Sequence, residues 1–211
     1  MEQNQPEEKN IIVVSGDGQA KTDPDMAVVT VGISKQSSTA KAAQESVNST
    51  ATAIRDAVLK VVGDRKLIQT SGLSLYPQSN QTGKTIGYQA SNMITITVND
   101  ITRAGDVVDA ATGAGATNLN GISFGVKDPK KARALALKDA VADAKSKADS
   151  LAEALGVTIT DILQVTEGDS DYNPFPAQYK TMALESRASA PIEAGQVELG
   201  ASVTIKYRFS R

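Results

Sequence analysis

Two periods of apolar residues run through this chain. In residues 26–33, MAVVTVGI, apolar side chains alternate with polar or small ones, the period-two signature of a strand with one buried face. Further strands are read at 67–76 (LIQTSGLSLY), 85–98 (TIGYQASNMITITV), 119–126, 158–167 and 191–209, the last reading best from Gln196 onward. Residues 11–15, IIVVS, are a short apolar run of the kind that forms a buried strand. The helical period intervenes three times. Ala40, Ala43, Val47, Ala51, Ile54, Val58 and Val61 share one face of a helix over 38–62, with Ser37 or Ser38 as its cap and Gly63 at its end. Asp100 caps a shorter helix over 101–112, with Ile101, Ala104, Val108 and Ala111 inward. Asp128-Pro129 starts a third, which runs to Leu155 and stops at Gly156.

The third helix carries two apolar rows. Leu137, Val141, Ala144, Ala148, Leu151 and Leu155 form one face. Ala132, Ala136, Ala140, Ala144, Ala148 and Ala152 repeat at a strict interval of four. The alanine row permits close backbone approach, and it is equally accounted for by alanine's being the best helix former. Lys130, Lys131, Arg133 and Lys138 cluster at the end where the helix dipole disfavours cations; they read as a solvated face.

Between the first two strands lies GDGQAKTDPD. A phosphate loop needs glycines that open directly into a helix, and these lead into a strand, so nucleotide binding is set aside. A calcium loop needs ligands at alternate positions and a closing Glu, a pattern that Asp17, Asp23 and Asp25 lack. Gly16 and Gly18 read as a bulge or a relief of crowding. Asp23, Pro24 and Asp25 read as turn chemistry that closes a hairpin. The resulting expectation is an α+β fold of two lobes, mainly antiparallel sheet packed by helices. The first lobe, about 10–98, is ββαββ. The second, about 99–211, is built around the Ala-rich helix, and residues 1–9 form a disordered tether.

Composition narrows the chemistry. The chain has 211 residues with 22 basic against 24 acidic side chains, a balance that offers nothing to nucleic acid or an anionic membrane. Cysteine and histidine are both absent. Thiolate and imidazole catalysis, disulfides and Cys/His zinc sites are thereby excluded. No apolar run approaches the roughly 18 residues that span a bilayer. The opening MEQNQPEEKN is polar and acidic, unlike a signal peptide, and fits either a cytosolic protein or a mature segment with an added Met. No cofactor is expected. Of eight aromatics (five Tyr and three Phe), Tyr172, Phe175 and Tyr179 fall in the aperiodic stretch 168–190, with Met182 close behind. Such residues are favoured at interfaces, and these four are the candidate contact residues for self-association.

Two other function classes remain open on the residues. Glu167, Asp169, Asp171 and Asn173 are oxygen donors for a hard cation, without a calcium loop's central Gly or terminal Glu; a carboxylate-based or cation-dependent enzyme would use such groups. A groove between lobes would serve a small-ligand or peptide binder.

Several short motifs occur in one order. They are Val14-x-Gly16-x-Gly18, then Asp25-x-Ala27, then Gly87-Tyr88-x-Ala90. Phe124 precedes the helix pattern A-x-x-x-A-x-x-x-KA-x-x-LA-x-x-LG from Ala140 to Gly156. Ile192, Gly195 and Val203-x-Ile205-x-Tyr207 close the chain. Taken together they resemble the SIMPL-domain family, which includes the YggE-like bacterial proteins, over roughly residues 10–210. The resemblance implies an exported, periplasmic or cell-surface location and an indirect link to protection from oxidative stress. It also implies a homo-oligomer, ring-like in some similar proteins, and no catalytic residues.

Overall fold

The computed structural model describes residues 10–168 and 194–211. The strands are β1 (Ile11–Thr22), β2 (Met26–Ser37), β3 (Ile68–Ser79), β4 (Thr85–Val98), β5 (Asn118–Gly125), β6 (Thr158–Glu167) and β7 (Val197–Ser210). The helices are α1 (Ala40–Val62), α2 (Ala104–Gly113) and α3 (Lys130–Leu155). All strand pairing is antiparallel, in a three-stranded sheet β1-β7-β6 and a four-stranded sheet β3-β4-β2-β5. The fold is α+β, as the periodicities predict.

The larger unit comprises residues 23–127 with 194–195. β4 lies between β2 and β3, a split βαβ arrangement. One sheet face is covered by α1 and α2. Ala27, Val29, Val31 and Ile33 of β2 and Ile94, Ile96 and Val98 of β4 meet Ala43, Val47, Ile54 and Val58 of α1. Ala104, Val107 and Ala111 of α2 join the same core. Each branched side chain so buried contributes about 1.5–3 kcal/mol. Thr39, rather than Ser37 or Ser38, caps α1, its Oγ1 accepting the Ala42 amide at 3.2 Å. Gly63 ends the helix at φ 78°, a left-handed conformation that favours glycine. Asn92 is a polar residue buried on the core face, opposite Ile33 and Leu73, and its Oδ1 has no hydrogen-bond partner among the described residues.

The smaller unit comprises residues 10–22, 128–168 and 196–211. Here α3 lies on the sheet, packing chiefly on β1 and β7. Pro129 is the N-cap position of α3, the preceding Asp128 accepts the Lys130 amide on its Oδ1 at 3.1 Å, and Gly156 closes the helix at φ 64°. Alanine, not leucine, forms the inner face. Ala132, Ala136, Ala140, Ala144, Ala148 and Ala152 are all buried, whereas of the other row Val141, Leu151 and Leu155 are exposed, Leu155 by 63%, and Leu137 is only partly buried against the core. Helical spacing alone makes both rows into stripes; only the surface opposite selects between them.

That surface corrects the expected first hairpin. β1 does not pair with β2; it pairs with β7 along its whole length, Ile11 opposite Arg208 to Thr22 opposite Val197. β2 is flanked on both sides by β4 and β5. The expected lobe boundaries shift for the same reason: β1 belongs with α3, while α2 and β5 belong with α1. Only Asp23, Pro24 and Asp25 separate the first two strands, because β1 extends through the glycines to Thr22. Alternation establishes which face of a strand is buried, and it does not name the strand's partner.

Candidate functional site

β1 buries Ile12, Val14, Gly16, Gly18 and Ala20 on one face. At the two glycines α3 backbone comes very close to the strand. A methyl group at Gly16 would collide with the Ala140 carbonyl oxygen and lie 2.7 Å from the Ala144 Cβ. One at Gly18 would collide with the Ala136 carbonyl and the Ala140 nitrogen. Gly16 and Gly18 are therefore a packing device: helix backbone lies directly on strand backbone, with alanine on one side and hydrogen on the other.

This closeness lets α3 reach around the strand. β1 is an edge strand, and the groups on its odd residues that point away from β7 would otherwise be free. The Gln19 amide donates to Asp139 Oδ2 at 3.1 Å, and the Asp17 amide donates to Asp143 Oδ2 at 2.9 Å. Lys147 Nζ donates to the Ser15 carbonyl at 3.0 Å and to Asp143 Oδ2 at 2.7 Å. Three helix positions four apart thus serve three strand positions two apart. The spacings match: about 6 Å along a helix and about 6.8 Å along a strand. The Lys147 ammonium and the Asp17 amide hold the Asp143 carboxyl below its usual range, and Asp143 in turn raises Lys147.

β3 is the contrasting edge. Among the described residues it pairs only with β4. Its register runs unbroken from Gly72 to Gln78 between two shifts. Leu73, Leu75 and Tyr76 are 57%, 40% and 63% exposed, and Met93 and Ile86 of the neighbouring β4 are exposed beside them. Leu73 and Leu75 stand opposite Asn92 and Ala90, on the face that α1 and α2 cover elsewhere. β6, the other edge of the small sheet, exposes Ile162 and Val165 but is interrupted by two register shifts in its ten residues, which blunts it for pairing.

A cleft of about 330 Å³ opens between α1 and the start of β3. Ile68 and Ile94 supply apolar lining; Thr52, Arg55, Arg65 and Thr70 are among its polar lining. Arg55 Nε and Nη2 donate to Asp56 Oδ1 at 2.9 and 2.7 Å, and among the described residues no carboxylate lines the cleft itself.

The other residues singled out in the sequence are placed as follows. The Asp25 amide donates to the Gly125 carbonyl at 3.0 Å, and Asp25 Oδ1 accepts the Lys127 amide at 2.8 Å. Pro24 is buried, while Asp23 and Asp25 are exposed. These three form the passage between β1 and β2 rather than a hairpin turn. Tyr172, Phe175, Tyr179 and Met182 lie outside the described residues, as do Asp169, Asp171 and Asn173. Glu167 forms an ion pair with Arg133 at 3.8 Å. Among the described residues no cluster of three acidic side chains is placed to hold a metal ion. Sequence reading missed the Asp139–Asp143–Lys147 row, although an i, i+4, i+8 polar row beside an alanine row was there to be seen.

The SIMPL family model, described as a protein of unknown function, matches residues 12–207. A 26 kDa periplasmic immunogenic protein of Brucella melitensis is 29% identical over 208 residues, covering 93% of this chain and 83% of the relative. The uncharacterized protein YggE of Escherichia coli is 26% identical over 189 residues, covering 87% and 74%. YggE of Edwardsiella ictaluri is 25% identical over 169 residues, covering 78% and 71%.

Proposed function

The chain belongs to the SIMPL family, and from that membership we propose that it is a non-enzymatic extracytoplasmic protein that acts by associating with further copies of itself. The observation that carries the reading is the contrast between its edges: the regular β1 edge is occupied by side chains of its own helix, while the outer edge of β3 is unpaired among the described residues, with Leu73, Leu75 and Tyr76 exposed. An unpaired strand with apolar side chains is a template for another chain. The location rests on the periplasmic relative. No helix among the described residues is long and apolar enough to cross a membrane.

The absence of Cys and His supports a role without catalysis. Any contribution to oxidant protection is then indirect, and the metal-free protein is expected to show no catalytic turnover of peroxide. Association is tested by light scattering across a concentration series on the wild type and on Leu73→Lys with Leu75→Lys. The wild type is expected to form a discrete assembly, and the double variant to fall to a lower mass. A wild-type monomer at every concentration, or an unchanged mass in the variant, overturns the reading.

A further inference from the structure

We propose that the cleft between α1 and β3 holds the C-terminal carboxylate of an extended peptide, which lies along β3 as an added strand. Three observations converge. Among the described residues the polar lining includes two guanidinium groups and no carboxylate, so this lining favours an anion. Arg65 forms no ion pair among the described residues, and Arg55 commits only Nε and Nη2 to Asp56. The cleft reaches β3 at Ile68 and Thr70, the start of a strand that is unpaired on its outer side among the described residues. A groove between a helix and an open edge strand is the geometry for peptide addition: strand backbone gives affinity, and the groove reads the end.

The orientation follows. A carboxylate held at the N-terminal end of β3 requires the peptide to run antiparallel to that strand. Arg55 and Arg65 bind the terminal carboxylate, Thr52 and Thr70 supply hydroxyls near it, and Ile68 and Ile94 receive the apolar last side chain. A free small carboxylic acid shares this chemistry but makes no use of the β3 edge. Self-association through Leu73, Leu75 and Tyr76 uses the same outer edge further along the strand, so the peptide and a second copy compete for β3 while only the peptide needs the cleft.

The test uses the full wild-type chain, diluted to where light scattering shows no association, so that peptide binding is read apart from association. It is probed with peptides randomised over their last positions, one set with free carboxylates and one amidated. The carboxylate set is expected to be enriched roughly tenfold or more, the scale of one charge-assisted hydrogen-bonded contact. Arg55→Gln with Arg65→Gln should weaken the selected peptide by at least about tenfold, with Arg65→Lys recovering part of it. Circular dichroism checks that α1 persists in the glutamine variant. N-methylation of alternate amides in the peptide should weaken it further by removing the strand pairing. No enrichment, equal enrichment of amidated peptides, or affinity unchanged in the glutamine variant overturns the proposal. Displacement by hexanoate at the peptide's own concentration also overturns it, because the cleft would then be a site for small acids.

Discussion

β1 and β3 are both twelve-residue edge strands containing glycine, and they are finished in opposite ways. β1 keeps register with β7 over its full length, which makes it the more regular edge and the greater pairing hazard. Its glycines let α3 lie close enough for Asp139, Asp143 and Lys147 to occupy its outward amides and a carbonyl. β3 has register shifts near each end, no such row beside it among the described residues, and exposed leucines and tyrosine in its middle. A strand edge is thus closed by the side chains that face it, and helix spacing of four residues suffices to close a strand repeat of two.

The sharpest way to break the contrast is the same substitution in both strands. Gly16→Ala forces a methyl group into α3 backbone and is expected to cost about 3 kcal/mol, read by denaturant unfolding. Gly72→Ala in β3 meets Met93 at 3.6 Å, an ordinary contact, and should be neutral or gain up to about 1 kcal/mol. Equal losses at the two positions would refute the packing argument. Next in size is Asn92→Leu. Removing a buried amide whose oxygen has no partner among the described residues should raise stability by about 1 kcal/mol, seen as a higher unfolding midpoint; a loss would mean the amide is satisfied after all.

The smallest effects concern the row on α3. Asp139→Ala with Asp143→Ala frees the outward amides of β1, and light scattering should show added mass that the corresponding Asn pair does not produce. The pH dependence has a fixed sign. Asp143 is depressed below its ordinary 3.8 by Lys147 and the Asp17 amide, so its contribution holds above that value and is lost as pH falls through the folded value. Lys147 is raised above 10.5 by Asp143, so its contribution holds below that value and is lost as pH rises through the folded one. Unfolding midpoints of wild type and Asp143→Ala should therefore converge at both pH extremes.

Much of this architecture was legible in the sequence. The helix ends at Gly63 and Gly156 and the span of β4 follow from left-handed glycines and clean alternation. The partner of β1 was not legible, because alternation marks a face and IIVVSGDG reads equally as half of a hairpin. The inner face of α3 was ambiguous for a related reason: leucine is the more apolar residue, and alanine wins only because the glycines opposite leave no room for more. The candidate surfaces were least legible, since an open edge is a property of the assembled sheet. The four residues expected at an interface, Tyr172 to Met182, lie outside the described residues and remain part of the proposal.

The most direct test is amide hydrogen exchange on β1 and β3 across a protein concentration series. The account predicts that the outward amides of Asp17 and Gln19 are protected at every concentration, while those of β3 between Gly72 and Gln78 exchange quickly when dilute and slow as concentration rises. Exchange on β3 that ignores concentration, or protection on β1 that grows with it, would contradict the account.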